Sequence, residues 1–279
     1  MQASGLTSET QVLEFKWNKV TSELRHFRKF SEICSKDKGS FSIDGAAGRL
    51  ISGSGQFSAG HLLLISNKIQ GAASGALGRM TIIKPIIVDL RKEPHGFIND
   101  LPVTCISNKS EEFSEIDKEE RQQFNAILSR TIPNKRGKPI EVLSSNTERS
   151  LVEKNELQYV RIPVKDHCRP SDASVDDFLS LIKNNPKSWL HVHCHVGKGR
   201  TTTFLAIYDM FYNAKKVSFD DILARQLAID GADLKETSGA HSKRATKRLI
   251  FLRKFYKYCR NADLESISWS EWCQKKSNG

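Results

Sequence analysis

Apolar positions along the chain switch repeatedly between a period of two and a helical period. Ile86, Ile87 and Val88 form a short continuous apolar strand ending at Asp89. Tyr159–Val164 and Trp189–His193 are further strands, and residues 49–57 read as a strand with glycine turns. Between them the spacing predicts helices from Ser58 through Ile69, over Val175–Lys183 with Ser174 as cap, and over Thr201–Asn213. Ser218–Ile229, capped by Ser218, and the long basic Lys243–Arg260 complete that half. Strand–helix alternation of this kind predicts an α/β fold with a mainly parallel central sheet flanked by helices.

The remaining stretches are more polar. Ser114–Arg130 carries Ile116, Phe124, Ile127 and Leu128 on one face, a surface helix. Thr147, with Ser150 and Leu151, starts another helix, and Ile140–Leu143 is a short strand. Gly71–Gly78 and Thr131–Lys138 are expected loops. Arg91–Asp100 follows the Ile86–Val88 strand, at the edge where α/β enzymes place ligands. Near the N-terminus Val12, Phe15, Val20 and Leu24 mark an amphipathic segment, and residues 1–10 are expected to be mobile. Ser268–Cys273 is expected to dock its two tryptophans on the domain.

Composition narrows the function classes. The chain has 279 residues and a formal net charge of +11, so an anionic partner is expected. Nucleic acid, an anionic membrane and phosphorylated small molecules all satisfy that charge, but no nucleic-acid motif accompanies it. No window approaches the roughly 18 apolar residues of a membrane span, and Met1–Val20 shows no secretory signal. The six cysteines are scattered without a CxxC pair, which suits a reducing compartment and a working thiol.

That thiol is found in Leu190–Phe204, which reads LHVHCHVGKGRTTTF. The strand delivers Cys194; Gly197 and Gly199 bracket Lys198; Arg200 and Thr201 open a helix. Backbone N–H groups of a tight glycine turn, followed by a helix N-terminus, form an anion site. Both glycines are expected to supply positive φ angles that turn the amides inward. The same field, with Arg200 beside it, suits an anionic sulfur, and the planar Arg200 fork can hold two phosphoryl oxygens. Thr201 can donate its hydroxyl to the sulfur. A metal site built from His191, His193, Cys194 and His195 is the competing reading, opposed because Cys194 faces away from His191 and His193 on a strand. A buried structural cysteine is another. A proton donor for the leaving oxygen is also needed. Asp166, 28 residues before Cys194 at the end of a strand expected to neighbour the loop strand, is the candidate. The alternative is an Asp capping a turn.

HCHVGKGRTT resembles the HCxxGxGRT signature of the cysteine-dependent phosphatases. SGSGQFS (Ser52–Ser58), VDLRKEPHGFIND (Val88–Asp100), YVRIPVKDHCRPSD (Tyr159–Asp172), DILARQLAIDGADL (Asp221–Leu234) and SWSEW (Ser268–Trp272) resemble the protein-tyrosine-phosphatase-like inositol polyphosphatases, the PTP-like phytases. The resemblance covers roughly residues 25–275. It implies a phosphatase α/β core with a small partial β-barrel, whose elements are expected within 25–57 and 100–145. Residues 25–279 are then one domain after an N-terminal segment 1–24. It implies Cys194 as nucleophile, Arg200 as phosphate clamp, Asp166 as general acid and then base, and no metal or other cofactor. The loop residues His195, Val196, Gly197, Lys198 and Gly199 would surround the phosphate. His95 and His167 match substrate contacts, Arg28 an N-terminal pocket arginine, and Lys235 and Lys243 lysines for distal phosphates. Cys168-Arg169-Pro170 departs from the family's apolar residue before the proline, and Pro94 stands where a serine is usual.

Lys198 between the glycines adds a second cation over a bound ring, which favours a polyphosphorylated inositol over a single phosphotyrosine. The expected reaction is removal of phosphates from inositol polyphosphates, phytate included, through a phosphocysteine. A phosphoinositide lipid phosphatase acting at an anionic membrane, a phosphotyrosine or dual-specificity protein phosphatase, and an inactive phosphate-binding module are the alternatives. A monomer is expected, either cytoplasmic or delivered into a host cell without a classical signal peptide.

Overall fold

The computed structural model describes residues 14–36, 39–77, 83–106 and 113–277. The mobile stretch expected over residues 1–10 and the apolar Val12 lie outside them. In chain order the elements are β1 (Phe15–Trp17), β2 (Arg28–Lys29), α1 (Ile33–Lys36), β3 (Ile51–Ser54), α2 (His61–Leu77), β4 (Ile86–Arg91), β5 (His95–Ile98) and β6 (Leu101–Cys105). Then come α3 (Phe113–Ile127), β7 (Thr131–Pro133), β8 (Pro139–Glu141), β9 (Ser145–Thr147), α4 (Glu148–Lys154), β10 (Gln158–Val164) and α5 (Asp172–Asn184). The chain closes with β11 (Leu190–His193), α6 (Gly199–Asn213), α7 (Phe219–Ala228), α8 (Ser242–Asn261) and α9 (Trp269–Ser277).

The larger compact unit spans residues 20–92 and 148–279. Its sheet has the order β10-β4-β11-β3-β2, with every pair parallel except β2 against β3. β4 and β11 are buried on both faces, as a sheet covered by helices on each side requires, although β11 carries His191 and His193 on one of them. β4 lies between β10 and β11, so the strand leading to Asp166 is one removed from the loop strand rather than its neighbour. Ile51, Val88, Leu190, Val192, Phe178, Phe204 and Leu205 form the centre of the core. Trp269 closes its C-terminal side, packed on Phe251, Phe255 and Tyr258 with its indole N–H on Asp172, as the aromatic pair predicted.

The smaller unit spans residues 1–19 and 93–147. Its antiparallel sheet, order β1-β6-β5-β9, packs Ile98, Val103, Phe124 and Val142 into a core of its own. Barrel strands were expected within 25–57 and 100–145. The antiparallel strands instead begin at Phe15, because β1 pairs with β6, while β2 and β3 from 25–57 join the parallel sheet. No closed barrel is seen among the described residues.

Several boundaries moved for local reasons. α2 runs on through Leu77, where a loop was expected, because the alanines there propagate a helix. The cap of α5 is Ser171, whose Oγ accepts from Ser174 N–H, rather than Ser174 itself. Ser218 caps α7 as predicted, accepting from Asp221 N–H. The expected loop 91–100 contains β5, and Phe15 of the expected amphipathic segment lies on β1.

Candidate active site

β11 and α6 hold the loop from both ends. Leu190, Val192 and Cys194 point into the apolar core, while His191 and His193 take the other face, as strand alternation required. Cys194 is buried, and its Sγ accepts from Gly197 N–H (3.3 Å) and from Thr201 Oγ1 (3.2 Å). Gly197 has φ +89°, and a Cβ there would lie 2.4 Å from Gly55 N. Gly199 differs from expectation. It is the first residue of α6 without a positive φ, so only Gly197 supplies the left-handed turn.

A second strand end forms the floor beneath this loop. Gln56 N–H donates to the His195 carbonyl (3.1 Å), and a Cβ on Gly55 would meet Val196 O at 2.6 Å. Beneath it runs a closed chain of donors. Trp189 Nε1–H donates to Ser52 Oγ, Ser52 meets His191 Nδ1, His191 Nε2 meets Ser54 Oγ, and Ser54 donates to Gly55 O. Since Ser54 gives its proton to Gly55 O, it accepts from His191 Nε2–H; Nδ1 then accepts from Ser52. That order needs a neutral ring, and burial, helped by neighbouring His193, pulls His191 down to about 3.

Arg200 connects the loop to the acid segment. It is buried, donates from Nη1 to Val164 O (3.0 Å), and pairs through Nη2 with Asp166 Oδ1 (3.1 Å). Asp166 is exposed just past β10, so the proposed donor and the proposed clamp meet although β4 separates their strands. His167 takes φ +61° and stacks on His241, ring centroids 3.7 Å apart, with Nε2 3.5 Å from Asp166 Oδ2. Desolvation lowers the pKa of His167; Asp166 opposes this, and His241, Arg200 and Arg244 add to it.

A cysteine in a strand–loop–helix cradle with an arginine tied to a facing carboxylate is the geometry on which the comparisons bear. The family model of PTP-like phytases, described by the words "Inositol hexakisphosphate", matches residues 106–212, which contain Asp166, Cys194 and Arg200. The PTP-like myo-inositol phosphatase of Mitsuokella multacida, solved in complex with myo-inositol-(1,3,4,5)-tetrakisphosphate, superposes with TM-score 0.79 at 29% identity. That match covers 93% of this chain and 48% of the Mitsuokella chain. A PTP-like phytase from Bdellovibrio bacteriovorus gives TM-score 0.74 at 28% identity, covering 94% of this chain and 95% of the other. The chain resembles the PTP-like phytases, in sequence over residues 106–212 and in fold over most of its length. The effector protein hopD2 of Pseudomonas syringae pv. tomato is 27% identical over 214 residues, 68% of this chain and 46% of hopD2. The chain thus spans less than half the length of hopD2 and of the Mitsuokella protein.

The outer residues expected from the PTP-like phytase family divide. Lys198 is tied down: its Nζ donates to Asp230 O (2.7 Å) and Oδ1 (2.6 Å), and Asp230 Oδ2 meets His26 Nδ1 (2.7 Å). Desolvation pushes the Asp230 carboxyl up, but the hydrogen bonds from Lys198 and His26 outweigh it and its pKa is lowered. Arg28 is 1% exposed and donates to His26 O, Gly197 O and Thr202 Oγ1, so it braces the loop. Burial pulls it down to about 10, opposed by Cys194, Asp230 and Glu32. Lys235 pairs with Asp220 (2.6 Å) on the surface, and Lys243 is exposed on the first turn of α8. His195 is half-buried and Val196 exposed on the loop. His95 lies in the smaller unit, buried, its Nδ1 on Glu93 O and its N–H on Glu120.

Residue-by-residue reading missed Ser52, Ser54, Gln56 and Asp230. SGSGQFS carried the signal for the first three as one more strand ending in glycines beside the loop. Nothing near Asp230 in the chain points to Lys198.

Proposed function

We propose that this protein is a metal-independent, cysteine-dependent phosphatase of inositol polyphosphates that works through a phosphocysteine. The Cys194 sulfur, hydrogen-bonded by Gly197 N–H and Thr201 within reach of the Arg200–Asp166 pair, carries the reading. Two donors on one sulfur stabilise negative charge there, both before attack and when sulfur leaves in the second step.

The steps follow from these positions. The phosphate enters over the loop amides and the N-terminus of α6. It takes the Arg200 fork, which displaces Asp166. Cys194 attacks phosphorus in line, while Asp166, carrying a proton, delivers it to the leaving ring oxygen. Asp166 then takes a proton from the water that cleaves the phosphocysteine, restoring the thiolate and releasing phosphate. Arg28, through Gly197 O and Thr202, keeps the loop from relaxing as charge moves.

An inositol polyphosphate fits the charge of +11, with Lys198 on the loop and the charge of Arg244 acting on His167. The Mitsuokella relative was solved with an inositol tetrakisphosphate, which supports the same substrate class here. Among the described residues no helix is long and apolar enough to cross a membrane. By likeness to hopD2, named an effector protein, we infer delivery into a host cell. The test of function is a phosphate-release panel on phytate, phosphoinositide vesicles and a phosphotyrosyl peptide. Phytate should be the fastest substrate, with faster turnover of either other class overturning the substrate assignment.

A further inference from the structure

Glu148 is a buried carboxylate that the steps above leave unused. It opens α4 and is 1% exposed. Its Oε1 accepts from His193 Nε2 at 2.6 Å, and its Oε2 accepts from Gln56 Nε2 at 2.7 Å. The orientation of the Gln56 amide is forced. Gln56 Oε1 accepts from Arg91 Nη1 (2.8 Å), which turns the NH2 group toward Glu148. The His193 ring is fixed as well, because a carboxylate on Nε2 requires the proton there. That ring also packs edge-on against Phe57, centroids 5.0 Å apart. A carboxylate so deeply buried is tolerated only while its donors stay in place.

Both of these arms end on the loop. His193 immediately precedes Cys194. Gln56 reaches the other side, because its backbone N–H donates to the carbonyl of His195 (3.1 Å), the residue after Cys194. One carboxylate thus spans the nucleophile, gripping the residue before it directly and the residue after it through Gln56. Asp89 on β4 is the other acid near this ring, 3.9 Å from His193 Nε2. It is engaged by Arg161 of β10 (3.2 Å) and by the Tyr159 hydroxyl (2.8 Å), so the close contact to His193 belongs to Glu148. Cys194 Sγ must meet Gly197 N–H and Thr201 Oγ1 at once, which a small slip of its backbone would prevent.

We propose that Glu148 is a positioning residue for Cys194, acting through His193 and Gln56 to aim the sulfur. This rests on the reading of Cys194 as nucleophile. Glu148→Gln, nearly the same shape, removes the feature that matters. Glutamine offers one acceptor and one NH2 group where both partners are donors, so one arm is lost.

The test compares wild type and Glu148→Gln by hydrogen–deuterium exchange without ligand and by phytate kinetics. In the variant, peptides covering Cys194–Gly199 should exchange at least about fivefold faster, while those of β4 and α8 keep the wild-type rate. Turnover should show the same local fault: kcat falls about 10- to 100-fold with KM within about threefold. Glu148→Asp, which keeps the charge on a shorter arm, should recover part of kcat and serves where the Gln variant does not fold. Gln56→Met cuts only the arm beyond Cys194 and should lower kcat less, again without moving KM. Loop exchange at the wild-type rate would overturn the proposal, whatever happens to kcat. So would faster exchange throughout the larger unit with kcat and KM both impaired, since that is the behaviour of a structural strut. If the wild type releases no phosphate from phytate, the phosphatase reading fails, and loop exchange still decides whether Glu148 holds Cys194 in place.

Discussion

Gly197 shows how a single residue carries the loop. Its φ of +89° costs an L-residue on the order of 1–3 kcal/mol, and a Cβ would also press on Gly55 N and Ser54. Gly197→Ala should therefore lower the denaturant midpoint and abolish turnover together, whereas Gly199→Ala, whose only close neighbour is the movable Arg248 Nη1, should keep the fold. His191 makes a pH prediction. Its native pKa of about 3 lies below its ordinary 6.5, so the unfolded chain takes up a proton first as pH falls. Stability from this ring is complete above pH 6.5 and is lost on acidification toward 3, on the order of 5 kcal/mol at most. Urea unfolding at pH 7 and pH 4 should show a smaller loss in His191→Gln than in the wild type; an equal loss would contradict a neutral buried His191. At this scale Cys194, Arg200 and Thr201 were legible because they are neighbours in the chain. The acceptors of Arg28, Gly197 O and Thr202, lie far along the chain, so no local pattern records that it braces the loop.

At the scale of elements, the acid segment is the informative case. β10 was recognisable from its apolar run, but nothing in it announced that β4 would intervene before β11. Arg200 spans that gap to Val164 O and Asp166, so the pairing depends on the reach of one side chain. Asp166→Asn keeps a hydrogen-bonding group there and removes the transferable proton. It should slow phytate hydrolysis roughly 10²–10⁴-fold, and slow an aryl phosphate with a good leaving group far less. Equal slowing of the two would count against Asp166 as the donor. Caps were legible where a serine preceded a helical period, as at Ser218, and slipped by three residues where two serines competed, Ser171 and Ser174. α2 was cut short because a run of small residues reads as a loop when its alanines are not weighed against its glycines.

For the whole molecule, the sheet of the larger unit was legible because buried parallel strands appear as continuous apolar runs. The smaller unit was not. Its strands are three to five residues long, and β1 pairs with a partner some ninety residues away, which no local pattern records. The charge of +11 has a consequence for this scale. Attraction between a cationic protein and a highly anionic ring is screened by salt. KM for phytate should rise several-fold between 50 and 300 mM salt, on the order expected for a multivalent ligand, while that for a monoester changes little; parallel curves would argue against a polyphosphate substrate. The central claim is that a phosphoryl group passes through Cys194. Acid-quenched turnover of phytate, followed by peptide mass spectrometry, tests it directly. The peptide holding Cys194 should carry one phosphoryl group in the wild type, and Cys194→Ser should neither carry it nor release phosphate. Continued phosphate release by Cys194→Ser would contradict the account.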